Sequence, residues 1–129
     1  MITKTISNKF YGEGVEINPS NEENIRKLDY NLIVKLFENS GLILFRNFKI
    51  KPTEIIKLTD LYTDNYANDA LRRGSRLKQK QVHNVDYGNK EMALHSEASF
   101  SPNWPEIIWF FCNEFNSEGT TTLCDGIKL

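Results

Sequence analysis

The chain has 129 residues, of which 40% are hydrophobic, 26% charged and 12% aromatic. That composition holds one modest folded domain and excludes a disordered polyelectrolyte. A formal net charge of −1 excludes a global field that would draw the protein onto nucleic acid or a membrane surface.

The first 17 residues alternate weakly and contain Gly12 and Gly14, which predicts a strand or hairpin leading into "VEIN". Ser20 followed three residues later by Glu23 has the form of a capping box and predicts a helix start. Ile25, Leu28, Leu32 and Leu36 then share a face with Ile33 and Phe37 beside them, and Gly41 is placed to end the helix in a left-handed conformation. "LILFRNF" is short and apolar and predicts a buried strand. Pro52 suits the first turn of a second helix, "PTEIIKLTDLYTDNY", with Ile55, Leu58, Leu61 and Tyr62 as its apolar face.

Residues 67–91 are polar and read as a long loop or lid that carries the basic run "RRGSRLKQK". The last third predicts three strands, in "MALHSEASF", "EIIWFFCNEF" and "TTTLCDG", separated by Asn, Gly and Pro clusters. Helices and a strand followed by consecutive strands point to an α+β protein or a barrel-like core with helices outside. Phe100, Trp104, Trp109, Phe110 and Phe111 are expected in the core, and Cys112 and Cys124 are expected as reduced, buried thiols.

No apolar run reaches the length of a membrane span, and the polar N-terminal stretch lacks the apolar core of a signal peptide. A cytoplasmic location without membrane partners is therefore expected. The basic run is short and its charge is offset elsewhere, so nucleic acid is not an expected partner.

The residues that carry chemistry are His95 and Glu97. Two apart on a strand, they face the same side, with Ser96 facing away. An imidazole and a carboxylate converging in this way form part of the two-histidine, one-carboxylate ligand set of non-haem Fe(II) oxygenases. As an isolated tripeptide, H-x-E is a weak signal and more often describes a hydrogen-bonded histidine beside a solvated glutamate.

"LHSEASFSPNWPEIIWFFCNEFNSEGTTTLCDG" resembles the TauD/TfdA family of Fe(II)- and 2-oxoglutarate-dependent dioxygenases, with the nearer likeness to its H-x-E branch of clavaminate synthase-like and SyrP-like enzymes. The metal dyad, the W-P pair, the apolar strand ending at Cys112 and the Gly-Thr turn before "LCDG" follow in family order, and "GLILFRNF" is similar to the family's first core strand. The resemblance implies a double-stranded β-helix (jelly-roll) core, partial here, with two flanking N-terminal helices. It also implies iron held by His95 and Glu97, and a carboxylate of 2-oxoglutarate met by Thr122, with Thr121 as the rival position. The family's G-G-[DE]-T is Gly119, Thr120, Thr121, Thr122 in this chain, so the second glycine and the acid are absent.

The implied activity consumes O2 and decarboxylates 2-oxoglutarate to succinate and CO2. It hydroxylates an unactivated C–H bond of a small amino-acid-like or carrier-bound substrate. Asn84, Tyr87 and Trp104 are candidates to face that substrate. The family's second histidine and its 2-oxoglutarate-binding arginine lie far downstream of the dyad, and neither has a counterpart here. His83 is the one other histidine, lies upstream, and stands as an alternative ligand. The expectation is a single incomplete dioxygenase domain over 1–129, inactive alone, that self-associates through exposed sheet edges. The alternative is a non-catalytic remnant or interaction module with an oxygenase-like half-fold.

Overall fold

A computed structural model describes residues 1–8, 12–66, 85, 93–99, 102, 104–114, 121–124 and 126. The chain divides into two compact units, one of residues 1–50 with 116–129 and one of residues 51–115. The composition is mixed α+β, as expected. The loop expected over 67–91, with Val85 its one described residue, otherwise lies outside the described residues.

The first unit is built on the predicted hairpin. Strand β1 (Ile2–Asn8) pairs antiparallel with β2 (Gly12–Asn18), in a register that sets Thr3 opposite Ile17. Strand β3 (Ile43–Phe45) then adds parallel to β2, with Ile17 opposite Phe45, giving the order β1-β2-β3. The central strand is the best covered: Ile17 is fully buried. Gly14 admits the close approach of Leu42, whose Cδ2 lies 2.9 Å from where a Cβ would stand. A side chain there would force Leu42 to move.

The far end of the β2–β3 pair is fastened by polar side chains. Asn47, held at φ 61°, donates Nδ2 to Asn18 Oδ1 at 2.7 Å, and Asn18 Nδ2 donates to Glu16 Oε1 at 2.9 Å. Arg46 Nε lies 3.3 Å from the other Glu16 oxygen. Asparagine is among the few side chains that occupy the left-handed region readily, which accounts for its place two residues past the strand.

Helix α1 (Tyr30–Ser40) packs on β2 and β3. It starts at Tyr30, with Asp29 rather than Ser20 as its cap. Glu23 does accept from the Ser20 backbone at 3.4 Å, but its Oε2 also meets the Met1 ammonium at 2.7 Å, which holds the carboxyl below its usual range. Two later caps compete successfully. Asn24 Oδ1 accepts from Arg26 N at 2.9 Å and starts a single 3-10 turn, Ile25–Lys27, which Leu28 ends in an extended conformation. Asp29 Oδ1 then accepts from Leu32 N at 2.8 Å and starts α1.

The break resets the helical phase. Ile33 becomes the buried residue, with Leu36 and Phe37 half-buried at the following i+3 and i+4 positions. Leu32, expected on the inner face, is exposed. Gly41 ends the helix as predicted, at φ 65° with its N–H on Phe37 O at 2.7 Å.

In the second unit, Pro52 opens a 3-10 turn (Pro52–Glu54) that runs into α2 (Ile55–Thr59). This helix is shorter than expected. Ile55, Ile56 and Leu58 are buried, while Leu61 falls beyond the helix end and is exposed. Thr59 and Asp60 hold the chain beyond that end: Tyr66 Oη donates to Asp60 Oδ1 at 2.6 Å and lies 2.8 Å from Thr59 Oγ1.

Burial first, and the Asp60 carboxylate second, raise the Tyr66 phenol above its ordinary range. A proton bound more tightly in the fold stabilises it fully below the free phenol's pKa of about 10, and that contribution is lost as pH rises through the raised value. Urea denaturation carried into the alkaline range should therefore show a steeper loss of stability in the wild type than in Tyr66→Phe. Equal slopes would remove Tyr66 as the cause.

The three late segments depart most from expectation. None of the described residues in 93–99, 104–114 or 121–124 is paired in a sheet. Over 105–110 exposure nevertheless alternates: Pro105, Ile107 and Trp109 are half-buried, and Glu106, Ile108 and Phe110 are exposed. The segment carries the side-chain period of a strand without a ladder partner among the described residues. Its aromatics are therefore not the expected core. Trp104 is 68% exposed and Phe110 61%, and Trp109 meets Tyr62 in a tilted ring contact, centroids 5.7 Å apart. Phe100 lies outside the described residues. Both cysteines are free, as expected, but Cys112 is exposed rather than buried and Cys124 is half-buried.

Candidate metal centre

His95 and Glu97 come together in the second unit, by a different backbone from the one their spacing suggests. Residues 93–96 have no regular structure, and a turn follows in which Ser99 N donates to Ser96 O at 3.3 Å. Ala98, at the third position of that turn, has φ 54°. A positive φ at the third residue alone is the type II pattern.

The turn leaves His95 Nε2 3.7 Å from Glu97 Oε2, with the two side chains 48% and 33% exposed. The other ring nitrogen, Nδ1, lies 2.9 Å from the Ala93 carbonyl oxygen. A carbonyl only accepts, so Nδ1 carries the hydrogen. In the neutral ring, Nε2 is then left with its lone pair directed away from the backbone, the arrangement that metal-binding histidines commonly use.

These two donors fit a divalent metal ion. A cation roughly 2.0–2.2 Å from each donor can touch both across a gap of this size. Among the described residues no third His, Cys, Asp or Glu joins them. His83, the alternative ligand, lies outside the described residues, as do the candidate substrate-facing Asn84 and Tyr87. Trp104 is in the same unit as the pair and presents an exposed indole. Thr121 and Thr122 belong to the other unit, and both are exposed. The sequence alternative between them stands.

Two contributors escaped the sequence reading. Ala98 carries no turn signal, because glycine or asparagine is the usual choice where φ must be positive. The Ala93 carbonyl is backbone and leaves no mark in side-chain chemistry.

The described residues form an α+β chain that carries a histidine–carboxylate pair. The description "Taurine catabolism dioxygenase TauD, TfdA family" matches residues 3–129, and the chain belongs to that family. Neither the comparison with curated proteins nor that with solved structures found a match. Among the described residues no helix is long and apolar enough to cross a membrane.

Proposed function

We propose that the chain is part of an Fe(II)- and 2-oxoglutarate-dependent oxygenase of the H-x-E branch, built on a jelly-roll core, that hydroxylates a small amino-acid-like or carrier-bound substrate. The observation that carries this reading is the family match over residues 3–129 with His95 Nε2 and Glu97 Oε2 placed 3.7 Å apart inside it. Bound iron would supply the redox chemistry that couples O2 and 2-oxoglutarate to C–H oxidation.

The residues have separate roles in this reading. His95 and Glu97 hold the metal, and the Ala93 carbonyl keeps the His95 proton on Nδ1. Glu97 fills the position that a halide takes in related halogenases, which favours hydroxylation over halogenation. The Thr122 hydroxyl donates to a carboxylate of 2-oxoglutarate, with Thr121 as its rival. Trp104, Asn84 and Tyr87 are proposed to face the substrate.

The test is Fe(II) binding by the chain, measured by isothermal titration under anaerobic conditions. Binding that is lost in Glu97→Ala supports the reading. Binding indifferent to Glu97 contradicts it, and absence of binding contradicts it in favour of the non-catalytic interaction module.

A further inference from the structure

We infer that Ala98 is a positioning residue for Glu97. The inference rests on the proposed metal-binding role of His95 and Glu97 and extends it to a residue that touches neither metal nor substrate.

In an extended strand the side chains of residues 95 and 97 would share a face, and the chain would run straight on. Here it turns at Glu97 and Ala98, closed by the 3.3 Å bond from Ser99 N to Ser96 O, with Ala98 at φ 54°. The left-handed region is unfavourable for an L-residue with a Cβ, and glycine would occupy it freely. Yet the residue at this corner is buried, while His95, Ser96 and Ser99 around it are exposed. The strained corner of the turn is therefore also its buried residue. Its effect falls on the neighbouring Glu97, whose carboxylate is left facing His95 Nε2. A bulkier, β-branched residue at Ala98 tolerates positive φ still less, so it should open the turn and withdraw Glu97 while leaving His95 and its Ala93 contact in place.

Co(II) alone serves as the probe, because its visible absorption reports both affinity and ligand set. Four variants are compared with the wild type: Ala98→Val, Ala98→Gly, Glu97→Ala and the double variant Ala98→Val/Glu97→Ala. Ala98→Val should weaken Co(II) on the order of 10- to 100-fold, the range for residues that orient a ligand, and should shift the spectrum to that of Glu97→Ala. The double variant should bind no more weakly than Glu97→Ala alone, since a positioning effect vanishes with the group it positions. Ala98→Gly, which accepts the same backbone, should retain the wild-type spectrum.

Should Ala98→Val fail to fold, as judged by circular dichroism, Ser99→Pro replaces it. Proline removes the turn's N–H and disfavours helical conformations at the preceding residue, with the same expected loss. Wild-type affinity in the turn-opening variant, or losses that add in the double variant, would overturn the positioning role and leave the metal site standing. Absence of Co(II) binding by the wild type overturns the metal reading and the positioning role together.

Discussion

His95→Ala should abolish Fe(II) binding, lowering affinity by more than roughly 100-fold, beyond the cost of losing only a supporting contact. The reasoning is local. The Ala93 carbonyl takes up Nδ1 at 2.9 Å, so the ring offers one nitrogen to a metal, and that nitrogen faces the Glu97 carboxylate. Alanine removes the donor without disturbing the turn, whose closing bond runs between the backbones of Ser96 and Ser99. Isothermal titration under anaerobic conditions measures the loss. His83→Ala is the informative companion: unchanged affinity assigns the nitrogen donor to His95 alone, whereas comparable loss in both variants would make His83 a ligand as well.

The largest expected effect on stability is at Ile17. It is fully buried, lies on the central strand, and stands opposite Thr3 on one side and Phe45 on the other. Its carbonyl also accepts from Arg46 N at 2.9 Å, so the backbone is pinned at the same point. The ladder limits how far the strand can collapse into a cavity, and Ile17→Ala should cost about 2–5 kcal/mol. For a domain whose whole stability is on the order of 5–15 kcal/mol, that is a large share. Ile17→Val, which removes one methyl, should cost about 0.5–1.5 kcal/mol. Urea denaturation of the pair distinguishes a packing role from a merely buried position; equal, small losses would show that the sheet relaxes around the site.

What was legible in the sequence was mostly what neighbouring residues decide. Alternation with Gly12 and Gly14 marked the hairpin, Gly41 marked a left-handed helix end, and Pro52 marked a helix start. The start of α1 was misplaced because Ser20, Asn24 and Asp29 are all good caps. Which one governs depends on partners from elsewhere, including the Met1 ammonium that occupies Glu23.

The late strands illustrate a different limit. The period-two exposure of residues 105–110 was encoded locally and is present. A ladder, however, needs a partner strand supplied by other parts of a fold, and side-chain pattern alone does not name one. At the candidate site, His95 and Glu97 lie within 3.7 Å of each other, but not by the strand that their spacing suggests. A turn brings them together, and it is not legible in the sequence because Ala98, at its positive-φ corner, looks like any other alanine.

The proposed role of His95 and Glu97 in holding iron for 2-oxoglutarate chemistry is decided by adding 2-oxoglutarate to the anaerobic Fe(II) protein and recording the visible spectrum. A charge-transfer absorption that appears with 2-oxoglutarate and is missing in both His95→Ala and Glu97→Ala is the predicted result. A spectrum unaltered by 2-oxoglutarate, or a band that survives both substitutions, would contradict it.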